Sequence, residues 1–347
     1  MLIDMHTHLW KNSVELCKRG ILDMCEVFDL TKVLVSSLGG YQPDEEEIRY
    51  LNDQTFAFMK EQPGLIEGYC YLNPRNPDTM TELRHRIEDE GMCGVKLWVA
   101  TFCDDPLVDP IAEQCVSYGI PMLIHAFHKS VDQLPYESLG ANVANLSRRY
   151  PEAKLIMAHL GANCLREMRM IKDCPNVWLD YSGSISHADD LEYAVRLVGA
   201  DRILFGTDMP DLAFQCSYGQ LVEADLTPEE REKIAWKNTA ALFGFDGEAG
   251  KRANGLTATA LSVSGPSAGS ITAAWRGFKR SGNRPGSRQA PCRPSTVSSI
   301  TTPWRRRSFW QKRSKVRPAF TSWGSIPPCP LRHFLLTRRW SGSGSGE

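Results

Sequence analysis

The chain has 347 residues and a formal net charge of −1, with 40 Lys and Arg against 41 Asp and Glu. The charge is divided unevenly, because residues 1–248 hold 40 acidic and 22 basic side chains, whereas residues 249–347 hold 18 basic side chains and one acid. The first part carries a charge of about −18, which would repel a phosphate backbone. This argues against nucleic-acid binding by the first part and predicts a boundary near residue 249.

Three features that the sequence lacks indicate location and redox state. No stretch approaches the roughly 20 apolar residues that a membrane span requires, and Met1 leads directly into a strand-like run without the basic and apolar regions of a secretory signal. Nine cysteines lie in residues 1–248, and none of them forms a C-x-x-C pair. Most lie in apolar runs, where a free cysteine behaves as a small hydrophobic residue. We therefore expect a reduced, cytoplasmic protein without structural disulfides or cysteine-held zinc.

Short apolar runs alternate with longer helical patterns along residues 1–249, which is typical of repeated strand–helix units. Several runs are continuously apolar, as in a parallel sheet covered on both faces. The strands are predicted at residues 2–7, 32–36, 65–72, 93–98, 121–125, 154–159, 177–181 and 202–207. Eight units of about 31 residues predict an α/β fold of the (β/α)8 TIM-barrel type. A doubly wound open sheet is disfavoured because no G-x-G-x-x-G follows the first strand.

The helices between these strands have recognisable ends. Helices are predicted at residues 44–61 and 78–90, and Thr227 precedes Pro228 and two glutamates as the cap of a further helix. The last helix of the repeat ends at Gly244. Residues 250–347 then lack helical or strand periodicity and cannot bury enough apolar surface to fold. We predict a barrel domain at 1–249 and a low-complexity basic tail at 250–347, which is either largely disordered or non-native translated sequence.

Five polar side chains stand at the ends of the predicted strands. His6 and His8 close the first strand, and because residues two apart point to one face, both imidazoles can reach one ion. His125, His159 and Asp208 end the fifth, sixth and eighth strands. The carboxyl ends of barrel strands meet at the rim where active sites are built. Their joint placement favours a metal site over five unrelated, structurally satisfied strand ends.

Imidazole and carboxylate ligands suit zinc, and also manganese, iron or cobalt. Zinc lowers the pKa of a bound water to about 7 and so supplies hydroxide at neutral pH. Asp208 is placed to take the proton of that water. His159 is placed to polarise a substrate carbonyl and to stabilise the charge that develops on it.

These motifs together resemble the amidohydrolase superfamily, and in particular its short amidohydrolase-2 type. The resemblance rests on the N-terminal H-x-H, the strand-ending histidines, GTDMP at 206–210 and NTAALFG at 238–244, and it covers residues 1 to about 245. It implies one divalent ion, usually zinc, with His6, His8, His125 and Asp208 as ligands. His159 would then stand beside the metal as a catalytic residue.

Lys96, at the end of the fourth strand, has two interpretations. In binuclear amidohydrolases a lysine at this position is carboxylated and bridges two ions, with His125 and His159 on the second. In the short branch the lysine occurs with one metal and binds substrate as a cation. We favour one ion, with Lys96 as a catalytic and substrate-binding cation.

Side chains directly after the strands are candidates for the wall of a substrate pocket. Trp10, Trp98 and His128 are assigned to substrate binding on this basis, although ordinary packing under the loops would account for each of them equally well.

Hydrolysis of a small amide, lactone or ester by metal-activated water is the preferred function. The alternative is a metal-dependent, non-oxidative decarboxylase of an aromatic or unsaturated carboxylic acid. Family decarboxylases tend to add an arginine that binds the substrate carboxylate, whereas here only Lys96 or Lys129 could replace it. A second alternative is nucleic-acid binding through the basic tail, where Arg305–Arg307 lie beside Trp304. The expected partner is a small molecule rather than a membrane or a nucleic acid, and a homo-oligomer is compatible with the sequence.

Overall fold

A computed structural model of the chain describes residues 1–162, 165–183, 187 and 189–245. The predicted domain boundary at 249 and the predicted basic tail at 250–347 lie outside these residues.

The described chain forms one parallel barrel of eight strands that pair in sequence order. The strands are β1 (Ile3–Trp10), β2 (Lys32–Leu38), β3 (Ile66–Leu72), β4 (Gly94–Leu97), β5 (Pro121–Ile124), β6 (Lys154–Met157), β7 (Val177–Asp180) and β8 (Ile203–Leu204). Backbone hydrogen bonds from Met5 N to Phe205 O, 3.0 Å, and from Asp208 N to His6 O, 2.8 Å, join the last strand region to the first. The predicted TIM barrel is confirmed.

Helices follow the strands around the outside of the barrel. They are α1 (Val14–Phe28), α2 (Glu45–Glu61), α3 (Thr79–Arg84), α4 (Asp109–Tyr118), α5 (Gly140–Arg149), α6 (Leu165–Met170), α7 (Asp190–Val198), α8 (Phe214–Glu223), α9 (Pro228–Glu232) and α10 (Asn238–Phe243). The predicted Thr227 cap is confirmed, because Glu230 N donates to Thr227 Oγ1 at 3.2 Å and Thr227 N donates to Glu230 Oε2 at 2.9 Å. The helix predicted at 78–90 is α3 followed by a π-helical turn, His85–Asp89.

Two apolar clusters divide the core between the inside and the outside of the barrel. Alternate strand residues such as Leu34, Tyr69 and Leu123 form the inner cluster, which α10 covers through Ala240 and Leu242. The strand residues between them face the surrounding helices in a larger cluster. Since α10 packs at the amino ends of the strands, the carboxyl ends form the open mouth.

The pairing of β1 with β2 shifts register between Asp4 and Thr7. Met5 belongs to the inner cluster, whereas Leu9 belongs to the outer one. Alternation back from Leu9 therefore places His8 and His6 on the inner face as well. A local irregularity of this kind re-aims side chains, and here it turns both imidazoles into the barrel.

The eighth strand is shorter than the predicted span of 202–207, since regular pairing ends at Leu204. Thr207 accounts for the difference, because its N–H and hydroxyl donate to the two carboxylate oxygens of Asp4 at 3.1 and 2.6 Å. These side-chain bonds replace a regular ladder and lead the chain into Asp208.

No helix in the described part of the chain is long and apolar enough to span a bilayer. Among the same residues no cysteine takes part in a disulfide.

Asn238 is expected to stabilise the closure of the barrel. Its buried amide donates to Ala200 O at 2.7 Å and to Ile203 O at 2.8 Å, which ties α10 to β8. Asn238→Ala should lower the free energy of unfolding by about 1–3 kcal/mol, because two carbonyls lose their donor. Urea denaturation measures this change. Lys237→Ala, on the exposed side, should stay within about 0.5 kcal/mol; equal effects would contradict the assignment.

Candidate metal centre

Three of the predicted ligands meet at the mouth of the barrel. His6 and His8 lie on β1, and Asp208 follows β8. The Nε2 atoms of the two histidines are 3.0 Å apart, and Asp208 Oδ1 lies 3.2 Å from His8 Nε2 and 3.6 Å from His6 Nε2. The two imidazoles are buried, while the Asp208 side chain is 15% exposed.

Each of the two imidazoles is held on its other nitrogen by an oxygen. His6 Nδ1 lies 3.0 Å from Asp180 Oδ2, and His8 Nδ1 lies 2.9 Å from the Ser36 hydroxyl and 3.2 Å from the Ser36 carbonyl. A carboxylate and a carbonyl accept hydrogen bonds, so both Nδ1 atoms carry the proton and both Nε2 atoms present a lone pair. Lys96 Nζ donates to His6 Nε2 at 2.9 Å, in agreement with this tautomer.

The inner atoms of this group are therefore acceptors that face one another. Lone pairs and carboxylate oxygens at such distances repel unless a cation lies among them. Two imidazoles and one carboxylate are ligands that zinc, manganese and iron accept. The residues present fit a divalent metal ion.

A second group shares His6 with the first. It consists of His6, His159 and Asp180, whose ligand atoms lie within 4.8 Å of one another. Ser182 Oγ bridges the two histidines, since it lies 3.0 Å from His6 Nδ1 and 3.1 Å from His159 Nδ1. Burial lowers the pKa of His159 to about 4, so this imidazole is neutral at pH 7.

His125 is outside both of these ligand groups. Its Nδ1 lies 3.0 Å from His159 Nε2, and its Nε2 lies 2.9 Å from Glu137 Oε1. Burial raises the pKa of Glu137, but the hydrogen bonds from His125 and Lys129 outweigh it and the pKa is lowered. The structure thus brings His125 to the site edge, next to His159.

Charge in the site is carried mainly by Asp208 and Lys96. Burial alone would raise the pKa of Asp208, but the neighbouring imidazoles of His159, His8 and His6 lower it well below its usual range. Lys96 is fully buried, and burial lowers its pKa to about 8. In the described part of the chain no acidic side chain forms an ion pair with Lys96 within 4.0 Å. The charges of Asp208 and Asp180 act at longer range and raise the pKa of Lys96, which partly offsets the effect of burial.

Aromatic rings stand beside the ligands. Trp10 lies 6.5 Å from His8 and 5.7 Å from Trp98, centroid to centroid, and Trp98 lies 6.5 Å from His125. Trp10 Nε1 donates to Asp211 Oδ1 at 3.0 Å, and Tyr41, 55% exposed, lies 5.2 Å from Trp98. The two predicted wall residues Trp10 and Trp98 therefore do lie beside the candidate site.

His128 has a different environment. Its Nδ1 lies 2.9 Å from Glu167 Oε1, and its side chain is 34% exposed. The predicted role of His128 in substrate binding stays a prediction.

Residues 3–245 match the sequence model described as Amidohydrolase. The chain belongs to the amidohydrolase family. Two curated relatives of this amidohydrolase are decarboxylases.

A 2-amino-3-carboxymuconate-6-semialdehyde decarboxylase of Dictyostelium discoideum is 23% identical over 241 residues, which span 57% of this chain and 66% of the relative, just under two thirds of its length. A gamma-resorcylate decarboxylase of a Polaromonas species is 22% identical over 269 residues, or 62% of this chain and 82% of the relative. A solved dihydroxybenzoic acid decarboxylase from Polaromonas, with bound manganese and 2-nitroresorcinol, is 18% identical with a TM-score of 0.58, over 72% of this chain and 99% of that one.

Several side chains of the candidate metal centre are not among the site residues that the sequence predicts. Asp180 and Ser36 end the predicted strands 177–181 and 32–36 almost as His125 ends its own, so a polar residue at a strand end was a usable signal. Glu137 lies in the loop between β5 and α5, where no pattern marks it. Asp4 precedes the H-x-H motif and accepts from Thr207, a contact that only the closed barrel creates.

Asp180→Asn is expected to weaken the affinity for divalent metal by about 10- to 100-fold, because the carboxylate that fixes the His6 tautomer is lost. Titration of the variant with Zn²⁺ against a chelating indicator measures the change. His6→Ala and Asp208→Asn should abolish binding in the same assay. Asp89→Asn, which breaks an exposed pair with His85, should leave the affinity unchanged. An unaltered Asp180→Asn affinity would show that this carboxylate does not orient a ligand.

Proposed function

We propose that this amidohydrolase is a metal-dependent, non-oxidative decarboxylase of a small aromatic carboxylic acid. The observation that carries the proposal is the group of facing acceptors on His6, His8 and Asp208 at the barrel mouth, with the buried ammonium of Lys96 beside it. The sequence alone favours hydrolysis as the function, with decarboxylation as the alternative. The comparisons favour the alternative, because decarboxylases recur among the curated relatives and the structural neighbours.

The proposed ligands are His6, His8, His125 and Asp208, around one divalent ion. His125 would contribute Nδ1, the nitrogen that Glu137 leaves without a proton. Zinc is the proposed ion, and the Polaromonas structure with bound manganese makes manganese the alternative. An ion held there would act as a Lewis acid, drawing electron density from the substrate oxygens.

Lys96 is proposed to bind the substrate carboxylate. A buried ammonium without an acidic partner in direct contact gains more from a substrate anion than an exposed one does, because the local dielectric constant is low. A lysine in this place would take the role of the carboxylate-binding arginine that family decarboxylases tend to have. The Lys96 ammonium therefore favours a carboxylic acid as the substrate over a neutral amide or lactone.

His159 is proposed to carry the proton. In decarboxylation the bond between the ring carbon and the carboxyl group breaks, carbon dioxide leaves, and the electron pair left on the ring carbon takes up a proton. Because His159 is neutral at pH 7, it would first take up a proton from water, which an anionic substrate beside it favours, and then give that proton to the ring carbon. Asp208 Oδ2, 4.0 Å from His159 Nδ1, would stabilise the charged form.

Trp10 and Trp98 are proposed to line the pocket for the ring of the substrate. Their centroids are 5.7 Å apart with an interplanar angle of 72°, and the ring of an aromatic substrate could pair with either of them in the edge-to-face or offset-stacked arrangements that aromatic rings prefer. This supports an aromatic acid over an aliphatic one.

The full-length protein loaded with Zn²⁺ or Mn²⁺ is expected to release carbon dioxide from at least one hydroxybenzoate. A panel of mono- and dihydroxybenzoates, followed by product chromatography, tests this, with lactones and amides in parallel. Cleavage of a lactone or an amide without any decarboxylation would contradict the proposal and would make hydrolysis the favoured function.

His159→Asn should retain about one equivalent of metal but lose at least 100-fold in kcat, because general acid catalysis typically contributes 10²–10⁴. Steady-state kinetics and metal analysis of the same preparation measure both quantities. His85→Asn, at an exposed position, is the matched control and should keep full rate. If His159→Asn instead lost its metal, the imidazole would be a ligand and a second ion would be favoured.

A further inference from the structure

Glu137 is a buried carboxylate in the loop between β5 and α5 whose two oxygens accept four hydrogen bonds. Oε1 accepts from His125 Nε2 and from Lys129 Nζ, each at 2.9 Å. Oε2 accepts from Gln133 Nε2 at 2.8 Å and from Leu134 N at 3.3 Å. The side chain is only 1% exposed. A buried carboxylate with this many donors is held in one orientation.

This contact determines which nitrogen of His125 carries the proton. Because a carboxylate with four donors can only accept, His125 places its N–H on Nε2 and presents the Nδ1 lone pair toward His159, 3.0 Å away. His6 and His8 show the same arrangement, with one nitrogen held by Asp180 or Ser36 and the other directed inward. Each of the three histidines thus has one ring nitrogen held by an oxygen of a different residue, Asp180, Ser36 or Glu137, which leaves the other nitrogen directed inward.

We propose that Glu137 is a positioning residue of the metal centre, which holds His125 in the tautomer that can bind the ion and ties the loop of Lys129 and Gln133 to it. The proposal rests on the proposed function, since it takes His125 as a ligand. It also assigns the Lys129 ammonium to Glu137, and so removes Lys129 as a candidate for the substrate carboxylate.

The same loop region supplies a matched control. His128 Nδ1 lies 2.9 Å from Glu167 Oε1, and Glu167 is buried like Glu137. The change from carboxylate to amide is therefore chemically identical at the two positions, but only Glu137 contacts a proposed ligand. An amide at 137 replaces one oxygen by an NH2 group, which conflicts with at least one pair of donors.

The tautomer of His125 can be read directly. In the full-length chain with ¹⁵N-labelled histidine, after chelation, we expect the signals of His125, identified with His125→Asn, to show a proton on Nε2. Glu137→Gln should shift the population toward Nδ1–H, while Glu167→Gln leaves His125 unchanged. A proton on Nδ1 in the unmodified protein overturns the proposal, and this measurement needs no variant of Glu137 that folds.

Metal affinity gives an independent readout. Glu137→Gln should weaken Zn²⁺ binding by about 10- to 100-fold, whereas Glu167→Gln should stay within about twofold, with both variants melting near the wild-type temperature. Equal affinities for the Glu137→Gln variant and the unmodified chain would overturn the proposal.

A failure of the proposed function gives a different pattern. If His6→Ala bound Zn²⁺ as tightly as the unmodified protein, the metal centre itself would be misplaced, whatever the tautomer of His125. If His6→Ala lost the ion while Glu137→Gln kept it, the centre would stand and only the role of Glu137 would fall.

Discussion

The structure of the barrel mouth depends on one constraint, which is that His6 Nε2 and His8 Nε2 face each other at 3.0 Å with their lone pairs inward. Residues on several strands are needed to hold the two rings in this arrangement. The register shift in β1 turns both rings into the barrel, Ser36 on β2 holds His8, and Asp180 on β7 holds His6. β2 pairs with β1 directly, whereas β7 comes near β1 only because the sheet closes through β8. A bound cation would remove the repulsion between the two facing lone pairs. The proposed metal site therefore depends on the same closure of the barrel as the fold does.

Backbone conformation is part of the same arrangement. His159 and Asp208 both adopt left-handed conformations, with φ of 62° and 64°, which cost non-glycine residues about 1–3 kcal/mol each. Asp208 N donates to His6 O at 2.8 Å, and His159 N donates to Asp180 Oδ1 at 3.3 Å. A Cβ on Gly183 would lie 2.7 Å from His159 Nδ1, and its φ of 111° suits glycine. The barrel therefore holds His159 and Asp208 in backbone conformations that the local sequence would not favour.

The barrel could be predicted from sequence because continuously apolar runs at regular spacing are typical of parallel strands that are buried on both faces. His6, His8 and Asp208 could be predicted because strand ends share one rim. The orienting groups depended on more than spacing. Asp180 lies near a predicted strand end, but no motif marks it as a partner of His6. The register shift of β1 follows from its pairing with β2, which the sequence of a single strand does not encode. The contact between Glu137 and His125 follows from the path of a loop, and loops carry no periodicity from which that path can be derived.

The charges of the site give a physical reason for its composition. Burial raises the pKa of Asp4 to about 7 and also raises that of Asp180, whereas Asp208 is ionised and Lys96 is the buried cation. A divalent ion beside His6 would lie one imidazole away from Asp180 and would favour its ionised form. An ionised Asp180 accepts a stronger hydrogen bond from His6 Nδ1, which makes Nε2 a better ligand. Metal binding and the orientation of His6 therefore reinforce each other, and this is a physical reason for burying several acids around a single ammonium.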